Sequence, residues 1–187
     1  YQLKADEKVI LTLCRLSSNE GYKGYDRVVE ALSFLKHNNY KYILAGKYDE
    51  SEKKRILSLA EKNKLADRLI LTGFLKEEEL QAHFQLADLF VMPSTNEGFG
   101  IVFIEALACG TPVIAGNQDG SVDALCEGEL GELVNPNQVE EIAAAIDESF
   151  AKSELKSFAA QKERIQKVHA NFGFPLFQER LKTYLKQ

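Results

Sequence analysis

One stretch of the sequence decides the fold: Pro93-Ser-Thr-Asn-Glu-Gly-Phe-Gly-Ile-Val-Phe-Ile-Glu-Ala-Leu-Ala-Cys-Gly-Thr-Pro-Val113. A Gly-Phe-Gly turn opens an apolar run with helical character, and Thr-Pro-Val leads directly into another strand. This order of turn, helix and strand is typical of sheets whose strands alternate with helices. Two carboxylates, Glu97 and Glu105, stand eight positions apart around the turn. The stretch therefore predicts a helix within an α/β unit and a polar site near its start.

Short β-rich runs alternate with helical patterns on both sides of this stretch. The runs that we interpret as buried strands are 9–13, 42–45, 69–72, 89–92, 112–115 and, weakly, 131–134. Apolar residues recur at helical spacing between them, as at Val28, Leu32 and Leu35. The repeated β-α order with short connections predicts an α/β fold, a doubly wound parallel sheet of about six strands flanked by helices.

The last part of the chain has a purely helical pattern. We expect one domain over residues 1–152 and a helical extension of the same domain over 153–187. Gly173 and Pro175 predict a break between the helices of this extension.

One face of the final helix is apolar. Its members are Phe174, Phe177, Leu181 and Tyr184. The spacing favours packing of this face against its own domain, and the alternative is docking onto a separate partner domain.

Composition limits the classes of function. The 187 residues are 45% hydrophobic, which is enough for one core, and carry a net charge of −5. An acidic chain argues against a nucleic-acid surface. No apolar run approaches the length of about 20 residues that spans a bilayer, so we expect a cytoplasmic protein without a transmembrane segment. The three cysteines lack C-x-x-C spacing and are interpreted as reduced thiols without a catalytic role.

Four loops follow predicted strands: 15–23, 46–47, 73–75 and 93–100. Ligands of open parallel sheets bind beyond the carboxyl ends of the strands, so all four loops are expected to face one crevice. Glycine at positions 98 and 100 lets an anionic group approach the unpaired amides and the positive dipole end of the following helix. A diphosphate fits this description.

Two cations flank the same predicted crevice. Arg15 follows the first strand and Lys23 precedes the first helix. Both are expected to supply fixed positive charge to a bound phosphate. The alternative is that both only pair with surface carboxylates.

The two glutamates do not suit a hydrolase. Eight helical residues span about 12 Å, whereas the carboxyl groups of retaining glycosidases are only about 5 Å apart. We instead expect Glu97 to accept hydrogen bonds from sugar hydroxyls and Glu105 to accept them from a ribose. The alternative for Glu105 is an ordinary solvated helix position.

Competing motifs are missing from the sequence. The Gly98 region lacks the third glycine of the dinucleotide fingerprint, and Gly21-Tyr-Lys-Gly24 lacks P-loop spacing. His37, His83 and His169 are scattered, without ligand spacing. We therefore expect metal-independent chemistry and no cofactor.

Taken together, these motifs resemble the retaining GT-B glycosyltransferases of family 4, also called group 1. The resemblance covers about residues 5–150. The residues that carry it are Arg15, Lys23-Gly24-x-Asp26, Leu71-Thr-Gly73-Phe74 and the pair Glu97…Glu105 with the following Cys109-Gly-Thr-Pro112. It implies a Rossmann-like domain that forms one half of a GT-B fold and binds a nucleoside-diphosphate sugar, from which a hexose is transferred with retention of configuration.

The resemblance also implies roles for individual residues. Arg15, Lys23 and Glu97 would be catalytic: the two cations would hold the donor diphosphate, and Glu97 would contact the transferred sugar. The donor-binding residues would be Gly73, Phe74 and Leu75 beside the base, Gly98, Phe99, Gly100, Ile101 and Val102 beside sugar and phosphate, and Glu105 on the ribose.

The family pattern is only half present. Relatives carry an acceptor-binding domain before the donor-binding one, so the partner of this chain would be such an N-terminal domain, through which the protein would contact the membrane peripherally. The isolated domain would be inactive without it. Asp119-Gly-Ser-Val-Asp123 stands where relatives carry Gly-Gly-x-x-Glu, with Asp123 as a shortened counterpart. The alternatives are a GT-B-fold sugar-nucleotide epimerase, a phosphorylase, or a non-catalytic nucleotide-sugar-binding or protein-interaction module.

Overall fold

The computed structural model describes residues 1–185 of the chain, apart from the side chain of Ser153. Six parallel strands form one sheet in the order β3-β2-β1-β4-β5-β6. Their bounds are β1 Lys8–Leu13, β2 Tyr40–Ala45, β3 Leu69–Gly73, β4 Leu89–Met92, β5 Val113–Gly116 and β6 Glu132–Val134. The doubly wound α/β sheet predicted from the sequence is confirmed, and all six strands lie where the apolar runs predict them.

Helices cover both faces of the sheet, with short 3₁₀ turns at Ser18–Lys23, Cys126–Gly128 and Ser153–Lys156. The helices are α1 Tyr25–Leu32, α2 Glu50–Lys62, α3 Glu77–Leu86, α4 Ile101–Ala108, α5 Ser121–Ala124, α6 Val139–Ala151, α7 Phe158–Phe172 and α8 Phe174–Tyr184. No helix among residues 1–185 is long and apolar enough to cross a bilayer.

The four central strands are nearly continuous apolar runs because both of their faces are buried, whereas the edge strands β3 and β6 are only half-buried. One hydrophobic cluster contains Val28 of α1 and Ile142 of α6. The other contains Phe84 of α3, Phe103 of α4 and Val168 of α7. The layers thus hold the loops at the strand ends against a rigid core.

Strand order reverses at β1, which pairs with β2 on one side and with β4 on the other. Such a reversal separates the loops that follow the two central strands and opens a crevice between them. Here the crevice lies between the segments that follow β1 and β4, which carry the predicted Arg15, Lys23 and Glu97.

The C-terminal helices differ in how they pack. Helix α7 packs on α4, and Arg164 Nε donates a 2.9 Å hydrogen bond to the carbonyl oxygen of Gly110. Helix α8 begins after Gly173, whose extended backbone ends α7, and its apolar side chains remain in solvent. Phe174, Phe177, Leu181 and Tyr184 are 45–79% exposed. The prediction that this face packs against its own domain is therefore wrong, because α7 already covers the adjacent helix α4.

Candidate functional site

Two adjoining cavities lie at the carboxyl ends of the central strands. The smaller, of about 300 Å³, is lined by the predicted residues Arg15, Lys23, Glu97, Gly100, Ile101, Val102 and Glu105, together with Leu13, Cys14 and Met92. The larger, of about 920 Å³, shares Arg15 and Glu105 with it and extends past Tyr48, Phe74 and Leu75. The structure thus brings most of the sequence-predicted site residues to one crevice.

Lys23 lies at the centre of the smaller cavity. Its Nζ atom is 2.5 Å from Oε2 of Glu97, and the two side chains are only 14% and 17% exposed. Gly24 makes this approach possible, because its φ is +78° and a Cβ atom there would lie 2.2 Å from the carbonyl oxygen of Pro93. The sequence therefore places a glycine where the Lys23 segment touches the loop that carries Glu97.

Arg15 is more exposed. Its side chain is 76% accessible, and Nη2 lies 2.6 Å from Oε1 of Glu20. Both predicted cations thus pair with carboxylates, as the alternative interpretation proposes, but both also line the crevice. The cations are near any ligand that enters it, with each charge already balanced by a carboxylate.

The loop that carries Glu97 is held by Asp119, a residue to which sequence reasoning gave no role. Oδ2 of Asp119 accepts hydrogen bonds from the Glu97 amide at 2.6 Å and from Ser94 Oγ at 2.7 Å, while Oδ1 accepts one from the Ser121 amide at 2.9 Å. An aspartate two residues before a serine that opens a helix is a recognisable turn signal. Asp123, in contrast, is exposed, and its carboxylate makes no hydrogen bond or ion pair within residues 1–185.

Helix α4 starts at Ile101, directly after the Gly98-Phe99-Gly100 turn. Gly100 has a φ of +85°, and a Cβ atom there would meet the ring of Phe103 at 2.4 Å, so packing and backbone conformation explain this glycine. No side chain caps the helix, and within the described residues the Ile101 and Val102 amides have no partner. Gly98, by contrast, borders open space. The helix therefore presents free donors to the cavity.

Two predicted side chains near this helix face away from its start or into solvent. The ring of Phe99 makes an edge-on contact with Phe172 of α7, with centroids 5.9 Å apart. The side chain of Ile101 is exposed. Only backbone groups of these residues suit contact with a ligand.

Glu105 stands one turn into α4 and lines both cavities. It is exposed, and its carboxylate makes no hydrogen bond or ion pair within residues 1–185. Its acceptors are therefore free at the junction of the two cavities, which differs from an ordinary solvated helix position.

The segment after β3 borders the larger cavity. Leu75 is buried, whereas the ring of Phe74 is 72% exposed, and both line the cavity. Gly73 has a φ of +76°, and its carbonyl oxygen accepts a hydrogen bond from the Gly46 amide, which ties this turn to the loop after β2. The wall opposite the glutamates is therefore apolar and backbone-rich.

Burial raises the pKa of the Cys14 thiol to about 12; Lys23 lowers this pKa, whereas Glu20 and Glu97 raise it. The uncharged Cys14 side chain therefore lines both cavities. Within the described part of the chain, no group of three or more His, Cys, Asp or Glu side chains is arranged to hold a metal ion.

Comparison with known proteins identifies the family. Residues 1–168 match the family model described as glycosyl transferases group 1. The chain belongs to this family. The group 1 resemblance drawn from the sequence motifs is thereby confirmed.

Similar sequences of this group 1 chain include mannosyltransferases. It is 32% identical over 157 residues to a GDP-mannose-dependent α-(1-6)-phosphatidylinositol monomannoside mannosyltransferase of Mycolicibacterium smegmatis, covering 78% of this chain and 39% of the relative. It is 34% identical over 162 residues to the serotype-specific mannosyltransferase WbdA of Escherichia coli, covering 82% of this chain and 19% of that relative. The group 1 chain thus spans less than half the length of these relatives.

Solved structures share its fold. Anabaena Alr3699/HepE in complex with UDP and glucose superimposes with a TM-score of 0.81 at 24% identity, over 97% of this chain and 49% of that one. Sucrose-phosphate synthase of Thermosynechococcus elongatus superimposes with a TM-score of 0.78 at 28% identity, over 99% of this chain and 47% of that one. This group 1 chain therefore corresponds to about half of each of these two structures.

Proposed function

We propose that the chain is the donor-binding domain of a retaining family 4 glycosyltransferase. The full protein would transfer a hexosyl group from a nucleoside-diphosphate sugar to an acceptor without an obligatory metal ion. The observation that carries this proposal is the shared lining of one cavity by Lys23, Glu97 and Glu105 beside the uncapped start of α4. The mannosyltransferase relatives, one of them named as GDP-mannose-dependent, support it.

The diphosphate binds at the start of α4. The free amides of Ile101 and Val102 donate to its oxygens, and the positive end of the helix dipole favours its charge. Lys23 leaves Glu97 and pairs with the phosphate, because a dianion offers a stronger partner than one carboxylate. Fixed positive charge at the leaving group then stabilises the transition state, and Arg15 adds to it from the rim.

The glutamates hold the two sugars. Once Lys23 turns to the phosphate, Glu97 is free to accept hydrogen bonds from hydroxyls of the transferred hexose. Glu105, at the junction of the cavities, accepts from the vicinal hydroxyls of the ribose. The base lies in the larger cavity beside the Gly73–Leu75 turn, where an apolar wall suits its ring.

A second domain completes the protein. The chain spans about half of the matched glycosyltransferase structures, and the aromatic face of α8 is exposed. We propose that an N-terminal acceptor-binding domain covers the crevice and that the 187-residue chain binds donor without turning it over. The full protein is expected in the cytoplasm, with that domain mediating any peripheral contact with the membrane.

A thermal-shift panel of GDP, UDP and ADP with their mannose and glucose derivatives tests donor binding. A ligand present at about a hundred times its dissociation constant adds about 2.7 kcal/mol to the free energy of unfolding, which raises the Tm of a chain of this size by about 5–10 °C. We expect at least one nucleoside diphosphate to do so, and the ranking names the donor.

Glu105→Gln is expected to weaken that binding about tenfold, because an amide accepts fewer hydrogen bonds from ribose hydroxyls than a carboxylate does. Glu61→Gln is the matched control, since Glu61 is an exposed helix residue of α2 outside both cavities. The proposal fails if none of the nucleotides binds at millimolar concentration.

The exposed face of α8 favours a second candidate, a non-catalytic module that captures a partner protein. This candidate predicts a chain that binds no nucleotide in the same panel.

A further inference from the structure

A network of side chains joins α1 to α2 behind the Lys23 segment. At its centre Arg55 of α2 contacts two carboxylates at once. Nε and Nη2 donate to Glu52 at 2.9 and 2.7 Å, and Nη1 and Nη2 donate to Asp26 at 2.9 and 2.8 Å. Two bidentate contacts from one guanidinium fix the relative positions of the helices more strictly than single ion pairs do.

Glu52 is the buried member of the network, with only 4% of its surface exposed. Its hydrogen bonds from Arg55 lower the pKa of its carboxyl, against the opposing effect of burial, so it is charged inside the protein. Buried ion pairs are weak contributors to net stability because desolvation offsets their attraction. A role in geometry accounts for this charge better than a role in stability.

Tyr25 connects the network to the Lys23 segment. Its buried hydroxyl shares its one proton between Oε1 of Glu52, at 2.6 Å, and the carbonyl oxygen of Ser17, at 3.2 Å. Ser17 opens the 3₁₀ turn Ser18–Lys23, and Tyr25 follows its end after Gly24. One hydroxyl therefore holds the two ends of the turn together.

The same turn touches the Glu97 loop at its other side. The Thr95 amide donates to the carbonyl oxygen of Tyr22 at 2.9 Å, and Lys23 reaches Glu97 from the next position. None of the turn's own residues is buried, so contacts of this kind, rather than burial in the core, hold it in place. The position of Lys23 thus depends on what holds the ends of the turn.

We propose that Tyr25, Glu52 and Arg55 are positioning residues that fix the Ser18–Lys23 turn so that Lys23 meets the diphosphate of the donor. The inference rests on the proposed function for the presence of that diphosphate. None of the three residues lines either cavity, so they act on the ligand through the turn that carries Lys23.

Tyr25→Phe is the mildest test, because it removes the hydroxyl and keeps the ring. Tyr40→Phe is the matched control: Tyr40 is equally buried, and its hydroxyl donates to the carbonyl oxygen of Leu32, away from the turn. Calorimetry of the 187-residue chain compares the affinity for the nucleoside diphosphate that binds best with that for its nucleoside. Tyr25→Phe is expected to weaken diphosphate binding about five- to tenfold and to leave nucleoside binding unchanged.

A double-mutant cycle separates positioning from a general loss of stability. In a Lys23→Ala background, Tyr25→Phe is expected to cause no further loss of affinity, because the group through which it acts is gone. Additive losses, or an equal loss in Tyr40→Phe, would overturn the inference.

Hydrogen exchange of the ligand-free chain gives a second readout. The Glu20 and Gly24 amides bond within the turn, to the carbonyl oxygens of Ser17 and Gly21. Tyr25→Phe is expected to speed their exchange, and Tyr40→Phe is not. If the wild-type chain binds no nucleoside diphosphate, the proposed function fails. Unchanged exchange of these two amides in Tyr25→Phe would instead refute the positioning role of Tyr25, Glu52 and Arg55.

Discussion

Lys23 and Glu97 form an ion pair with 2.5 Å between Nζ and Oε2, although 74 residues separate them in the chain. Both side chains are mostly buried, so neither charge is fully compensated by water. In the ligand-free crevice each therefore serves as the counter-ion of the other. In the proposed function, a phosphate that pairs with the lysine would release the glutamate for a sugar and so couple the two parts of the donor site.

Lys23→Ala is predicted to weaken nucleoside diphosphate binding by about 10- to 100-fold, because a charge-assisted hydrogen bond contributes about 1.5–3 kcal/mol. The variant also leaves Glu97 without its counter-ion next to the phosphate. Calorimetric titration measures the effect. Lys8→Ala serves as the control, since Lys8 pairs with Asp88 at the opposite end of β1. Equal affinities in the two variants would contradict a phosphate contact.

Glu20→Gln is predicted to tighten nucleoside diphosphate binding by a few-fold. Glu20 pairs with Arg15 and would compete with a bound phosphate for it. The gain is small because Arg15 is exposed and the pair is screened by water and salt. Titrations at low and high salt check this, and the difference between variant and wild type is expected to shrink at high salt. Weaker binding by Glu20→Gln would mean that Arg15 needs Glu20 to hold its position.

Asp119→Ala is predicted to lower the Tm by about 2–12 °C, because loss of this partly buried acceptor leaves its donors unsatisfied at a cost of about 1–3 kcal/mol. The Glu97 amide and the Ser94 hydroxyl lose their partner in this variant. Differential scanning calorimetry measures the change. Asp123→Ala is the matched control and is expected to leave the Tm unchanged. A similar Tm for both variants would show that Asp119 does not hold the loop.

Cys14 is predicted to resist alkylation in the folded chain. At pH 8 a thiol with a pKa of about 12 has a roughly thousandfold smaller thiolate fraction than one at the ordinary value of 9.0, and the thiolate is the reactive form. Because the folded pKa exceeds the unfolded one, stability is intact below pH 9 and decreases as pH rises towards 12. Mass spectrometry after iodoacetamide treatment measures the rate at which Cys14 is alkylated. In guanidinium chloride Cys14 should react as fast as Cys109 and Cys126; fast reaction in the native chain would contradict the prediction.

Local features of the sequence predict the fold well. Six apolar runs give six strands, and the four central ones are apolar almost throughout because both of their faces are buried. The sequence also predicts which segments follow the carboxyl ends of the strands, and so places Arg15, Lys23 and Glu97 at one crevice. The family can be recognised from the sequence for a similar reason, because the residues of its motif at 94–113 lie next to one another in the chain.

The sequence by itself thus determined the order of the strands and helices and the chemical character of the crevice, because both depend on residues close together in the chain. Only the tertiary structure decided which charges pair, that Asp119 holds the Glu97 loop and that the aromatic face of α8 is left exposed. These features join segments far apart in the chain, and their distances depend on how the helices pack against the sheet. Residue spacing shows which face of a helix is apolar, but it does not fix these distances.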